Sequence, residues 1–379
     1  MGSFRWLFGV VLTAGLAAST AGAANPPPLP ARSQLAADRT TFVQLAEQGL
    51  RQTRKLWWNP QAGWFKQRSN GDPPVASTWG AYPLVELVDA IAVAHLTAAN
   101  KKAVDTIARQ AEAYWDPTIA NGAGGVSWLF GLRNTGNAYF DDTGWWGLAY
   151  VDAYKATKNR RWLWDAGRAL GFIDRFGWDR AGGGVWWNIA HDHKTSEPLA
   201  AGALIAATLY RYQHKAYYLN IAKRYIAWAD AKTRNPKQGN LYGRNATDGT
   251  VMDYVEGMMI GAHAELCAGT HMKTYCRKAA ALANASLDQF PIDADWAPET
   301  DVVYLRWLLD LYEQDRNPRW YAVVYRNAKR AAANARDEEG LWSKRWDGGW
   351  TLPGTLYTQS ATLELFAWIA AAKPPPSAS

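Results

Sequence analysis

The 379-residue sequence predicts an all-α protein, an (α/α)6 barrel in which six inner and six outer helices form a toroid in one domain. Three observations carry this. Six segments are apolar nearly all round, the pattern of a helix buried on every side. Each has an amphipathic neighbour with a single apolar stripe, repeating at a period of about 45–60 residues. The chain also begins with an outer-type helix and ends with an inner-type one. The first can therefore pair with the last and close a ring instead of leaving an open solenoid.

Residues 1–24 read as a secretory signal: Arg5 is the basic start, 6–18 the apolar stretch, and Ala21-Gly22-Ala23 the cleavage site. Residues 25–35 are a stiff Pro-rich spacer, 36–372 the catalytic domain, and 373–379 a second Pro-rich tail. An outer helix is expected at about 36–57. Inner helices then start near Trp79, at Asp141 and Glu197, and near Asp253, Glu299 and Thr358. Outer helices fill about 101–115, 160–176, 217–231, 272–289 and 318–335 between them. In the outer helix at 217–231, Tyr218, Ala222, Tyr225 and Ala229 recur at i, i+4, i+7 and i+11, away from Lys223, Arg224 and Asp230. No segment alternates as a strand should, although short extended pieces are expected in loops such as 182–188.

Composition narrows the function. Apolar residues make up 48% and charged residues 20%, which excludes a disordered chain. No run beyond the N-terminus spans a bilayer, so stable membrane insertion is not expected. The net charge of +7 is dispersed, which argues against a nucleic-acid partner. Cys267 and Cys276 are only two, too few for a disulfide scaffold; an oxidising destination makes them a possible local disulfide. His191 and His193 lack a third ligand at set spacing, so neither metal nor cofactor is expected. The 22 tryptophans exceed what a core needs, and although most read as packing, Trp faces also stack on sugar rings.

In a closed ring all inner helices run the same way, so their N-termini meet at one mouth. Acidic residues dominate there. Glu197, Glu299 and Asp301 read as first-turn partners of the helix dipole. Asp141-Asp142 is different, because one carboxylate suffices as a cap. Two adjacent ones beside Phe140 and Trp145-Trp146 set like charges in an aromatic, partly dry site, where their pKa values separate. One stays ionised and the other keeps its proton, which suits a nucleophile and a general acid. Neighbouring Cα atoms lie about 3.8 Å apart, compatible with the roughly 5–5.5 Å carboxyl separation of retaining glycosidases. A calcium loop would want ligands at i, i+2 and i+4, which Asp141–Trp145 does not supply.

The segment FDDTGWWGLAYVDAY at 140–154 resembles the signature of glycoside hydrolase family 76, the endo-α-1,6-mannanase-like proteins. Supporting pieces follow in order: GGGVWWN at 182–188, LAAGALIAATLYRY at 199–212, DYVEGMMIGAHAEL at 253–266, YLRWLLDLY at 304–312 and TQSATLELFAWIA at 358–370. The resemblance implies an (α/α)6 barrel, no metal, retention of configuration, and Asp141 as nucleophile with Asp142 as acid/base. It departs where the family commonly reads TYNQG. Here Asp253-Tyr254-Val255-Glu256-Gly257 alters the wall expected to touch sugar.

The expected activity is a secreted, retaining, endo-acting hydrolase of α-mannosidic linkages, α-1,6 above all. The alternatives are a transglycosylase of wall glycan and an inactive glycan-binding protein of the same fold. A mannan-type polysaccharide or oligosaccharide is the expected partner and a monomer the expected state. Trp79, Trp145, Trp146, Trp186, Trp187, Asn188, Asp253, Tyr254 and Glu256 are the substrate-binding candidates, with Trp186-Trp187 as a sugar platform and Trp145-Trp146 as the wall of the dyad. The loop 344–350, with Lys344, Arg345, Trp346 and Trp350, offers a further subsite or basic contact.

Overall fold

The computed structural model describes residues 26–133, 136–290, 293 and 297–376; the leader expected at 1–24 and the last residues of the tail lie outside them. The outer helices are α1 (Arg32–Trp57), α3 (Ala98–Ala111), α6 (Arg160–Phe172), α8 (Ala216–Lys232), α10 (Lys273–Gln289) and α12 (Pro318–Asn334). The inner ones are α2 (Thr78–Ala94), α5 (Phe140–Thr157), α7 (Ser196–Gln213), α9 (Asp253–Thr270), α11 (Pro298–Asp315) and α13 (Leu356–Ala371). A single turn, α4 (Ile119–Gly122), lies in the loop after α3.

Each inner helix packs on the next, α2 on α5, then α7, α9, α11 and α13, and α13 returns to α2. The ring is thus closed, and α1 seals it by packing on α13 and α2. This is the (α/α)6 barrel expected from the alternation of helix types. The helices interlock closely. A Cβ on Gly257 of α9 would stand 2.6 Å from the Tyr304 backbone of α11, so only glycine fits there.

The elements differ from expectation at their ends. The first helix begins at Arg32, because Pro30 closes the spacer and no breaker follows it. The helix expected to reach 115 stops at Ala111; Glu112–Tyr114 tighten and Trp115–Asp116 turn into a hairpin with Gly125–Val126. Similar two-residue hairpins follow α1 (Trp58–Asn59 with Trp64–Phe65) and α8 (Arg234–Asn235 with Leu241–Tyr242). After α6 a wide turn, Ile173–Gly177, leads to single bridges joining Trp178 to Val185 and Trp186 to Lys194. All four connections run from the end of an outer helix toward the mouth, so the site is walled by short, strapped loops.

Four inner helices end on a left-handed residue that is basic or a histidine: Lys158, His214, His271 and Arg316. The cationic Lys158 and Arg316 complement the carbonyl ends of their helix dipoles, and all four residues mark the floor of the barrel opposite the mouth. Cys267 and Cys276 are disulfide-bonded, tying the last turn of α9 to the first of α10.

Between mouth and floor lies a buried ionic network that reaches all six inner helices. Arg306 of α11 meets Asp152 of α5 at 3.1 Å, and its guanidinium lies 3.8 Å over the Trp368 ring of α13. Lys155 of α5 meets Glu265 of α9 at 3.0 Å and Asp310 of α11 at 3.5 Å, and Arg211 of α7 meets Glu265 at 3.0 Å. Glu86 and Asp89 of α2 and Glu364 of α13 add carboxyls without adding cations. Burial, and then the charge of their acidic neighbours, pushes all three well above the usual carboxylate range. Each therefore keeps its proton to higher pH than a free carboxyl, which lessens uncompensated charge in the barrel.

Candidate active site

The mouth is built by one repeated choice. The second residues of the six inner helices are, in ring order, Trp79, Asp141, Glu197, Tyr254, Glu299 and Tyr357. All six are half-buried, whereas the residues on either side of them are buried, apart from Thr300. Parallel helices at equal depth bring this set together as a rim of three aromatic rings and three carboxyls.

Asp141 and Asp142 open α5. Oδ1 of Asp141 accepts the Asp142 backbone N–H at 3.0 Å, and Oδ2 accepts the indole N–H of Trp187 at 3.1 Å. The loop holding Trp187 is strapped to the start of α5. Phe140 N–H donates to the Trp187 carbonyl at 2.8 Å, Ile189 N–H to Ala138 at 2.9 Å, and Tyr139 is bridged to Asn188. The loop turns through Gly183 and Gly184, at φ 66° and 83°, where a Cβ would strike the Trp228 ring.

The two carboxyls sit in unequal surroundings. Burial raises Asp141 to about 6, with the Trp187 hydrogen bond pulling it back and the nearby Glu197 charge pushing it up. Asp142 is pushed well above the carboxylate range by deeper burial and then by the Asp141 charge, against one hydrogen bond from the Trp79 backbone. Asp142 therefore keeps its proton to higher pH than Asp141 does. That division is what a nucleophile and a proton donor require.

Aromatic side chains surround the pair. Trp145 lies beneath the rim, with its ring centroid 5.0 Å from Trp79, 5.2 Å from Tyr82 and 6.1 Å from Tyr254. Tyr139 packs on Trp187 at 4.8 Å. Trp79, Trp145, Trp187 and Tyr254 therefore converge on the dyad.

The other expected contacts face elsewhere, and the structure corrects their placement. Trp146, one residue along a helix from Trp145, points outward. It is buried against Trp115, and its indole N–H donates to Ala111 at 3.3 Å. Glu256 is wholly buried and accepts the Tyr242 backbone N–H at 2.6 Å, tying a hairpin to α9 instead of meeting sugar. Asn188 is spent inside its loop, donating to Asp192 at 2.6 Å. Trp186 lies on the outer side of that loop, stacked on His191 and capped by Lys194, since adjacent residues in an extended strand point to opposite sides. Asp253 is buried behind the rim, accepting the Tyr254 N–H at 2.7 Å and hydrogen-bonded to Asp301 of α11. In the loop 344–350, Trp346 is buried, its indole N–H on Thr362, and Trp350 is exposed.

Of the rim residues, Tyr357 was not foreseen, and Glu197, though placed at the mouth, was not among the expected sugar contacts. Tyr357 fell one residue outside the expected start of α13. Glu197 read as a dipole partner, yet side chains hold it: the Thr195 hydroxyl, Tyr254 Oη at 3.4 Å and Arg244 Nε at 3.8 Å. Counting to the second position of every inner helix would have found both.

Residues 90–367 match the family model for Glycosyl hydrolase family 76. No curated protein sequence matches the chain. Among solved structures, the α-mannanase of that family from Bacteroides thetaiotaomicron superposes with a TM-score of 0.76 at 19% identity, over 88% of this chain and 95% of that one. The α-1,6-mannanase from a Salegentibacter species superposes at 0.71 and 18% identity, over 87% and 99%. An inactive variant of the latter, with two consecutive aspartates replaced by asparagine, was solved in complex with α-1,6-mannotriose. The fold extends to a cellobiose 2-epimerase from Bacillus thermoamylovorans, at 0.62 and 15% identity over 86% and 98%. The matched segment takes in both Asp141 and Asp142 and five of the six inner helices in full or nearly so. The chain belongs to glycosyl hydrolase family 76 and is a glycoside hydrolase built on an (α/α)6 barrel.

Proposed function

We propose that the protein is an exported, retaining endo-α-mannosidase that cuts α-1,6 linkages by double displacement. Asp141 attacks the anomeric carbon. As that bond forms, the bond from the anomeric carbon to the leaving oxygen breaks, and Asp142 gives its proton to that oxygen. Asp142, now ionised, takes a proton from water. The water oxygen bonds to the anomeric carbon, the ester to Asp141 breaks, and the product keeps its α configuration. The observation that carries this reading is the pair of adjacent carboxyls at the start of α5 beneath an aromatic rim, with Oδ2 of Asp141 held by the Trp187 indole N–H at 3.1 Å. The complex of a Salegentibacter relative with α-1,6-mannotriose supports the substrate class. The N-terminal leader pattern supports export, and among the described residues no helix is long and apolar enough to cross a membrane.

The test is hydrolysis of α-1,6-mannotetraose followed by NMR. First release of the α-anomer by the wild type, with no turnover by Asp141→Ala, is expected. First release of the β-anomer, or an active Asp141→Ala, would sink the assignment.

A further inference from the structure

Glu197 belongs to neither the dyad nor the aromatic wall, and its surroundings are unusual for a first-turn acid. It occupies on α7 the position that Asp141 occupies on α5, the neighbouring parallel helix, so the two carboxylates face the same space from adjacent staves. Placing a carboxylate beside an ionised nucleophile carries a cost in repulsion, and the fold sustains it with three partners. The Thr195 hydroxyl donates to Oε2, Tyr254 Oη donates to Oε1 at 3.4 Å, and Arg244 stands off at 3.8 Å. The hairpin bearing Arg244 is fastened to the start of α7, with Ser196 N–H on the Arg244 carbonyl at 2.7 Å and Ser196 Oγ on the Gly243 carbonyl at 2.7 Å. The carboxylate is thus braced from below and behind, and its side chain stays 13% exposed on the mouth side.

We propose that Glu197 is the hydroxyl acceptor of the sugar seated over Asp141, taking a hydrogen bond from a ring hydroxyl of the residue whose anomeric carbon is attacked. The proposal rests on the assignment of Asp141 as nucleophile. Vicinal sugar hydroxyls are donors, and a braced carboxylate is the strongest acceptor that protein chemistry offers them. The same charge acts on the nucleophile. The groups facing Asp141 are Asp142 on its own helix, Glu197 on α7, Tyr254 on α9 and the Trp187 N–H, with Arg244 beyond Glu197. Glu197 pushes Asp141 toward its protonated form, so it narrows the pH range in which the enzyme works on the acid side.

The experiment measures kcat/KM against pH on α-1,6-mannotetraose for the wild type, Glu197→Gln, Glu197→Asp and Asp141→Asn, with a thermal melt of each. Glu197→Gln is expected to lose about 10- to 100-fold in kcat/KM, and its acid limb should move to lower pH because the repelling charge is gone. Glu197→Asp keeps the charge but shortens the reach, so its kcat/KM falls while its acid limb stays in place. If Glu197→Gln remains within about twofold of wild type with an unmoved limb while Asp141→Asn is inactive, the role of Glu197 is refuted and that of Asp141 stands. If Asp141→Asn is active, the underlying assignment fails instead. Should Glu197→Gln melt below the assay temperature, Glu197→Asp decides alone, and an undiminished kcat/KM there overturns the proposal.

Discussion

The indole N–H of Trp187 donates to Oδ2 of Asp141 at 3.1 Å, so a loop residue 46 positions away in sequence holds the carboxylate at the centre of the site. That bond favours the ionised form of Asp141. Trp187→Phe keeps the ring and removes the donor. The acid limb of kcat/KM should move to higher pH, opposite to the shift expected for Glu197→Gln, and kcat/KM at neutral pH should fall about tenfold. A pH–rate profile on a manno-oligosaccharide checks both.

Asp142 is expected to act mainly on the leaving group. Asp142→Ala should slow mannan hydrolysis by about 100- to 10,000-fold. An aryl mannoside with an acidic leaving group should lose far less in its first step, and the glycosyl-enzyme should build up. Intact-protein mass spectrometry would show one added sugar mass on Asp142→Ala and none on Asp141→Ala.

The buried carboxyls at the barrel centre tie stability to pH. Glu86, Asp89 and Glu364 have pKa values raised on folding, so the folded state binds protons that the unfolded state releases. Their contribution is intact below the ordinary carboxylate pKa and is lost as pH rises toward their folded values. Stability should therefore decline on the alkaline side. Glu86→Gln, which keeps shape and stays neutral, should flatten that decline. Melting temperatures across the pH range, wild type against variant, test it.

Two covalent details have measurable worth. Cys267 and Cys276 close a loop with a sequence separation of 9, so replacing both by serine should remove about 2–3 kcal/mol in denaturant melts. Gly257→Ala would press a methyl group into the Tyr304 backbone and should remove about 1–3 kcal/mol.

Much of this molecule could be read from its letters. Helices such as 199–212 are apolar on every side, and that pattern has one explanation, burial within a ring of helices. Asp141-Asp142 also stood out, because a helix start needs only one acid. The contact residues were harder. Trp145 and Trp146 are identical in kind and adjacent in sequence, yet 100° of helical rotation sends one to the site and the other to the outer layer. Trp186 and Trp187 part in the same way on an extended segment. Glu256 and Asp253 looked like sugar contacts because their departure from the family pattern drew attention. Glu256 instead satisfies a backbone N–H of the neighbouring hairpin, a demand that only the fold reveals, and Asp253 accepts the Tyr254 N–H of its own helix. Glu197 was seen, but two of its three side-chain partners, Arg244 and Tyr254, come from a distant stretch of chain and could not be foreseen.

The described residues begin and end at one place on the surface. Pro26 to Pro30, Pro375 and Pro376 line the same cavity of about 350 Å³, beside the start of α12. With α1 already wedged against α13, the ring has no natural first stave. A short bridge between the ends, with a new opening cut in the connection between α12 and α13, would give a circular permutant with its new termini on a different loop and its catalytic mouth intact.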